Sequence, residues 1–219
     1  MTAARKPDSK APADVAGVLL AGGLARRMGG GDKGMRRLGG RPIMERILAR
    51  VRPQVTTLLV NANGDPARFE GYGLPVMGDV VSGYAGPLAG VLTGLEWAAE
   101  HAPAGTRFVA SFAIDAPFVP LNLVARLRRA VADEGAEMAC AKSGDRTHPV
   151  FGLWPIELAG ELRRAMTDEE MRKIDRWTAR YDLVEVYFPT EPFDPFFNIN
   201  DPGNLAEAER LLGAERGAA

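Results

Sequence analysis

VAGVLLAGGLARRMGGGDKGMRRLGG, residues 15 to 40, joins an apolar run to a loop that a packed core could not use. Val15, Val18, Leu19 and Leu20 have the composition of a short buried strand. The next twenty residues hold eight glycines together with Arg26, Arg27, Lys33, Arg36 and Arg37. Glycines let backbone N–H groups come close to anionic oxygens, and guanidinium and ammonium groups neutralise their charge. The stretch therefore reads as a strand that feeds a polyphosphate-binding loop.

Two familiar phosphate motifs do not describe this loop. Gly29, Gly31 and Gly34 satisfy G-x-G-x-x-G, but the match starts nine residues after the strand, where a dinucleotide-binding turn would begin at its end. A P-loop needs Gly-Lys followed by Ser or Thr, whereas Lys33 stands between Asp32 and Gly34.

Composition narrows the partners. The 219 residues, 46% hydrophobic and 25% charged, suit a soluble globular chain with a full core. A net charge of -1 gives no overall basic field, so nucleic acid is not expected as a partner, and a local basic loop suits a small anion. One cysteine excludes an intrachain disulfide, and two histidines leave too few soft ligands for zinc. Hard oxygen ligands plus phosphate point to Mg2+. No apolar run reaches the roughly 18 residues of a membrane helix, and the polar first residues do not form a signal peptide, so a cytoplasmic protein is expected.

Beyond the loop, Ile43, Met44, Ile47, Leu48 and Val51 repeat at helical spacing. Strands are expected over 56–60, 74–77 and 108–114, with helices from Pro87 and around 123–131. Strands over 136–141 and 149–154 read as a hairpin joined by residues 142–147; helices over 155–165 and 171–181 and a strand over 183–188 follow. This order predicts an α/β fold: one Rossmann-like domain over residues 14–213, its mainly parallel sheet covered by helices on both faces, with antiparallel edge strands. Residues 1–13 and 214–219 are expected to be a flexible arm and tail.

Polar residues at the carboxyl ends of such strands face the ligand crevice. Asn61 and Asp79 are therefore either turn formers or nucleoside contacts, and Asp115, directly after a buried strand, is either a cap for a helix near Pro120 or a ligand. Asn198 and Asn200 alternate with Phe197 and Ile199, which predicts a short strand with both amides on one face, followed by a helix that Asp201 caps.

The segments Leu20-Ala21-Gly22-Gly23-x-x-Arg26-Arg27-Met28-Gly29 and Asp32-Lys33-Gly34 resemble the nucleotidyltransferases that attach a nucleotide to the molybdenum cofactor. Val60-Asn61-Ala62-Asn63, Gly86-Pro87-Leu88-Ala89-Gly90, Asp115-x-Pro117, His148-Pro149 and Asn198-Ile199-Asn200 extend the likeness, in family order, over about Val15 to Leu212. Gly22 favours the guanylyltransferase branch over the cytidylyltransferases, which usually carry Leu-Ala-Ala-Gly here. The resemblance implies transfer of GMP from GTP to the terminal phosphate of molybdenum-molybdopterin, with release of pyrophosphate. It implies nucleotide contacts from Leu20, Ala21, Gly22, Lys33, Asn61, Asp79 and Asp115, catalysis by Arg26, Lys33 and Asp115, and Mg2+ on Asp115. Arg146, His148, Asn198 and Asn200 then meet the second substrate. Cofactor-delivery or acceptor molybdoenzyme proteins are the further partners it admits.

One departure bears on the metal: Ala113-Ile114 stands where the family commonly has Pro-Cys before the aspartate. It leaves open a nucleotide-binding accessory protein without turnover.

Overall fold

The computed structural model describes residues 12–22, 33–83 and 86–217. Its centre is β1 (Val15–Leu20), paired in parallel with β4 (Leu58–Asn61) on one side and β6 (Phe108–Ala113) on the other. The other strands are β2 (Arg37–Leu38), β3 (Arg41–Pro42), β5 (Val76–Met77), β7 (Met138–Ser143), β8 (Arg146–Pro155) and β9 (Leu183–Phe188). Seven of them form one sheet in the order β5-β4-β1-β6-β8-β7-β9, and β2 and β3 form a separate antiparallel ribbon. Within the seven-stranded sheet, β8 alone among the described strands runs against its neighbours, and it lies between β6 and β7, not at an edge; β9, the outer strand, is parallel to β7.

The strand residues alternate between two apolar layers, as the period of two demands. Val15, Leu19, Ala110 and Phe112 face helices α1 (Ile43–Val51), α3 (Leu123–Glu134) and α6 (Pro202–Gly217). Ala16, Val18 and Val109 face α2 (Pro87–His101), α4 (Ala159–Asp168) and α5 (Ile174–Thr178). Both faces of β1 are thus buried, which is why it reads as an unbroken apolar run.

Two glycines seat α2 on the sheet. A Cβ at Gly94 would come within 2.7 Å of Val18, and one at Gly90 within 2.3 Å of Asn61 Oδ1. No helix among the described residues is long and apolar enough to cross a membrane.

Four elements differ from the sequence expectation. Phe196 to Asn200 forms no strand: Phe196 lies in a turn in which Phe197 N–H donates to Asp194 O, and Ile199 N–H donates to Asp115 O at 2.8 Å, so alternation there marks one isolated tether. The helix expected over 171–181 shrinks to α5, because Met171 N–H bonds back to Ala165 O and Glu170 sits at φ 55°, closing α4 first. Ser143, read as part of the hairpin loop, ends β7, leaving Gly144 and Asp145 as the turn. The last helix continues to Gly217, past the expected boundary at residue 213. Its start is as expected: Asn204 N–H donates to Asp201 Oδ1 at 2.8 Å, and Asn200 N–H to Asn204 Oδ1 at 3.1 Å.

Candidate active site

Parallel strands bring their carboxyl ends to one side of a sheet, and here β1, β4, β5 and β6 open together into a cleft of about 820 Å³. β1 delivers Leu20, Ala21 and Gly22, β4 Asn61 and Asn63, and β5 Asp79; Ala113, Ile114 and Asp115 come at the end of β6. The opposite wall is the start of β8, from Arg146 through His148 to Phe151, together with Asn198.

At the β4–β5 end, a carboxylate is held flat by two amides. Asn61 Nδ2 donates to Asp79 Oδ1 at 3.0 Å and Asn63 Nδ2 to Asp79 Oδ2 at 2.8 Å. Asp79 N–H returns a bond to Asn63 Oδ1 at 2.8 Å. Each carboxylate oxygen retains acceptor capacity, so the Asp79 edge can take two further N–H donors side by side. Gly90 lets α2 approach Asn61 closely enough to fix the side chain under it.

The centre of the cleft is a lysine between two oxygens. Lys33 Nζ lies 3.2 Å from Asp115 Oδ2 and donates to Asn200 Oδ1 at 2.7 Å. The pair is largely enclosed, with 15% and 19% of the two side chains exposed. Lys33 opens a 3-10 turn, Lys33–Met35, whose Gly34 leaves room for Ile114: a Cβ there would meet Ile114 Cδ1 at 2.5 Å. The unusual Ala113-Ile114 pair thus packs the lysine turn against the end of β6 and leaves the Asp115 carboxylate facing Lys33. The helix-cap alternative for Asp115 does not hold, because α3 starts only at Leu123, with Asn122 in the cap position.

At the β8 end, His148 is 6% exposed, its ring packed on Phe196 at 4.7 Å between centroids and edge-on to Phe151. Its Nε2 lies 2.7 Å from Ser143 Oγ, which donates to Asp194 Oδ1 at 2.9 Å. Burial pushes the imidazole pKa below its ordinary 6.5; Asp194 opposes that shift and Arg146 reinforces it. Asn198 Oδ1 is a buried oxygen with no hydrogen-bond partner among the described residues.

Of the residues singled out from sequence, Leu20, Ala21, Gly22, Lys33, Asn61, Asp79, Asp115, Arg146, His148 and Asn198 line this one cleft, and Asn200 joins it through Lys33. Arg26 and Arg27 lie outside the described residues. Sequence reasoning missed Asn63 as a holder of Asp79, although it stands in the quoted Val60-Asn61-Ala62-Asn63 segment. It also missed Arg68, which lines the cleft and donates to Asn63 O at 2.6 Å from a 3-10 helix without any motif. Ser143 and Asp194 were missed too, being 51 residues apart.

Residues 17–183 match the model of the MobA-like NTP transferase domain. The chain is 55% identical over 201 residues to a molybdenum cofactor guanylyltransferase of Nitrobacter hamburgensis, covering 92% of this chain and 96% of the relative. Identity is also 55% to the protein of the same name from a Bradyrhizobium species, with 92% and 94% covered. Among solved structures, molybdopterin-guanine dinucleotide biosynthesis protein A from Archaeoglobus fulgidus superposes with a TM-score of 0.70 at 26% identity, over 91% of this chain and 99% of that one. With its sheet, its cleft at the strand ends and these likenesses in agreement, the chain belongs to the MobA-like NTP transferase family and is a nucleotidyltransferase.

Proposed function

We propose that the cleft transfers GMP from GTP to the terminal phosphate of the molybdenum-molybdopterin cofactor, forming the guanine dinucleotide and pyrophosphate. The observation that carries this reading is the Lys33–Asp115–Asn200 junction, which stands in one cleft between the amide-held Asp79 carboxylate and a second wall at Arg146 and His148. A nucleotidyl transfer needs that geometry: two substrates meeting at one phosphorus, with charge control between them.

On this reading the base lies against Asp79. Guanine offers N1–H and N2–H side by side, matching the two acceptors of a flat carboxylate; cytosine offers one amino group beside an acceptor nitrogen, which the carboxylate repels. Asn61 and Asn63 hold the carboxylate in plane, and Leu20, Ala21 and Gly22 form the floor under the nucleoside. Lys33, and Arg26 from the glycine-rich loop, neutralise the phosphates. The attacking cofactor phosphate is already an anion, so no strong base is required; Arg146, His148, Asn198 and Asn200 orient the second substrate for in-line attack.

The donor set fits a hard divalent cation. The Asp115 carboxylate and the Asn200 amide oxygen already converge on a cation, the Lys33 ammonium, and Asn198, whose Oδ1 is buried without a partner among the described residues, lines the same cleft. One carboxylate with neutral oxygens is the kind of site at which Mg2+ keeps waters and substrate phosphates as its other ligands. When bound on Asp115, the ion would neutralise the triphosphate and the departing pyrophosphate. Product formation with GTP set against CTP tests the proposal, since a cytidylyltransferase is the nearest alternative chemistry.

A further inference from the structure

The buried chain Asp194–Ser143–His148 is more than packing, because its protons can be assigned. A serine hydroxyl has one proton. Asp194 Oδ1 accepts from Ser143 Oγ at 2.9 Å and from Phe196 N–H at 2.9 Å, so the Ser143 proton is committed to the carboxylate. The 2.7 Å contact between Ser143 Oγ and His148 Nε2 then needs its proton from the histidine. Were Nε2 unprotonated, two acceptors would face each other in a site where Ser143 is only 2% exposed. The imidazole is therefore the Nε2–H tautomer, and its burial keeps it neutral, leaving Nδ1 as a bare lone pair.

Nδ1 has no partner among the described residues, yet the buried unpaired polar atom found there is Asn198 Oδ1 and not this nitrogen. His148 itself lines the cleft. Phe196 and Phe151 hold the ring plane, so the lone pair has a fixed direction.

We propose that Ser143 and Asp194 are positioning residues that lock His148 as a neutral hydrogen-bond acceptor, and that this nitrogen recognises an N–H or O–H donor on the second substrate. The substrate half of this inference rests on the transfer reading above. It divides the labour at this wall: a lone pair repels a phosphate dianion, so the anion is left to Arg146 and the cations at the centre, while His148 reads the donor-rich pterin ring. A hydrogen-phosphate O–H is the other source of such a donor, and the experiment separates the two.

The protein has two histidines, so 15N-histidine NMR reports His148 directly once His101→Gln has removed the other signal. In the free wild-type protein at pH 7.5 we expect the neutral Nε2–H pattern. Ser143→Thr keeps it, and Ser143→Ala gives a mixture of tautomers. Adding 7,8-dihydropterin shifts the Nδ1 resonance while Nε2 stays in place, and inorganic phosphate moves neither. In turnover, Ser143→Ala raises KM for the molybdenum cofactor roughly 3- to 12-fold, the worth of one neutral hydrogen bond, with kcat and KM for GTP within about twofold; Ser143→Thr restores it. An Nδ1–H or imidazolium pattern in wild type, or an unchanged tautomer in Ser143→Ala, would overturn the lock. A shift with phosphate but not with dihydropterin, or with neither, would overturn the recognition. The tautomer is read before any substrate is added, so a wrong transfer reading leaves that result standing.

Discussion

The two ends of the cleft hold their key side chains in opposite ways. At the β4–β5 end, Asp79 is an anion in a partly open site, steadied by neutral amides from the neighbouring strand end and its extension, Asn61 and Asn63. At the β8 end, His148 is a neutral ring under aromatic cover, steadied through Ser143 by an anion that arrives from a distant loop, Asp194. On the proposed reading the first accepts donors from the nucleotide's base, and the second is kept uncharged among charged neighbours. Between them stands the Lys33–Asp115 ion pair, which brings an ammonium to the middle of the cleft.

If the centre carries most of the charge control, Asp115→Asn should have the largest effect of any single carboxylate change. Turnover is expected to fall at least about 100-fold, comparable to losing one preorganised electrostatic element. Its melting temperature should stay close to wild type, because the Asp115 side chain caps no helix and its hydrogen-bond partner, Lys33, keeps Asn200. Steady-state kinetics with a parallel thermal melt checks both; a variant that retains most of its activity would move the charge control elsewhere.

A smaller change separates the two ends. Gly90→Ala puts a methyl 2.3 Å from Asn61 Oδ1 and 2.6 Å from Leu20 Cδ2, and must displace one of them. Overpacking of this kind costs about 1–3 kcal/mol. Both stability and GTP affinity should drop, while the His148 resonances stay as in wild type. Movement of those resonances in Gly90→Ala would mean that the two ends are mechanically coupled.

The smallest effect concerns pH. The His148 pKa is lowered in the folded protein, so below the ordinary value of 6.5 the unfolded chain takes up a proton that the folded ring refuses. Its contribution is fully present above that value and is lost as pH falls through it. Chemical denaturation at pH 7.5 and 5.5 should therefore show a steeper loss of stability in wild type than in His148→Gln, which cannot titrate. Equal losses would mean that the aromatic cover does not keep the ring neutral.

The β4–β5 end was far more legible in the sequence than the β8 end, for a physical reason. Parallel strands buried on both faces are apolar runs, so Asn61, Asp79 and Asp115 stand out as polar residues at the places where such runs stop. The glycine-rich loop and Lys33 stand out by composition. Ser143 and Asp194 carry no such mark: one lies in a hairpin and the other in a loop, and only the fold brings them within 2.9 Å. Asn198 and Asn200 were found through strand-like alternation although no strand forms there; a single bond from Ile199 N–H to Asp115 O ties the segment to the end of β6. The position of β8 inside the sheet was likewise invisible, since periodicity gives a strand's faces and not its neighbours. The role of Ile114 emerged only from its contact with Gly34, which no spacing rule connects.

The proposed reaction joins a guanine nucleotide, and not a cytosine one, to the molybdenum cofactor. Purified protein with molybdenum-molybdopterin, Mg2+ and either GTP or CTP, assayed for pyrophosphate and for the dinucleotide product in stoichiometric amounts, tests it most directly. One pyrophosphate per guanine dinucleotide is expected with GTP, and at least about tenfold slower turnover with CTP, because the Asp79 carboxylate then meets an acceptor instead of a second donor. Equal or faster turnover with CTP, or no product with either nucleotide, would contradict it.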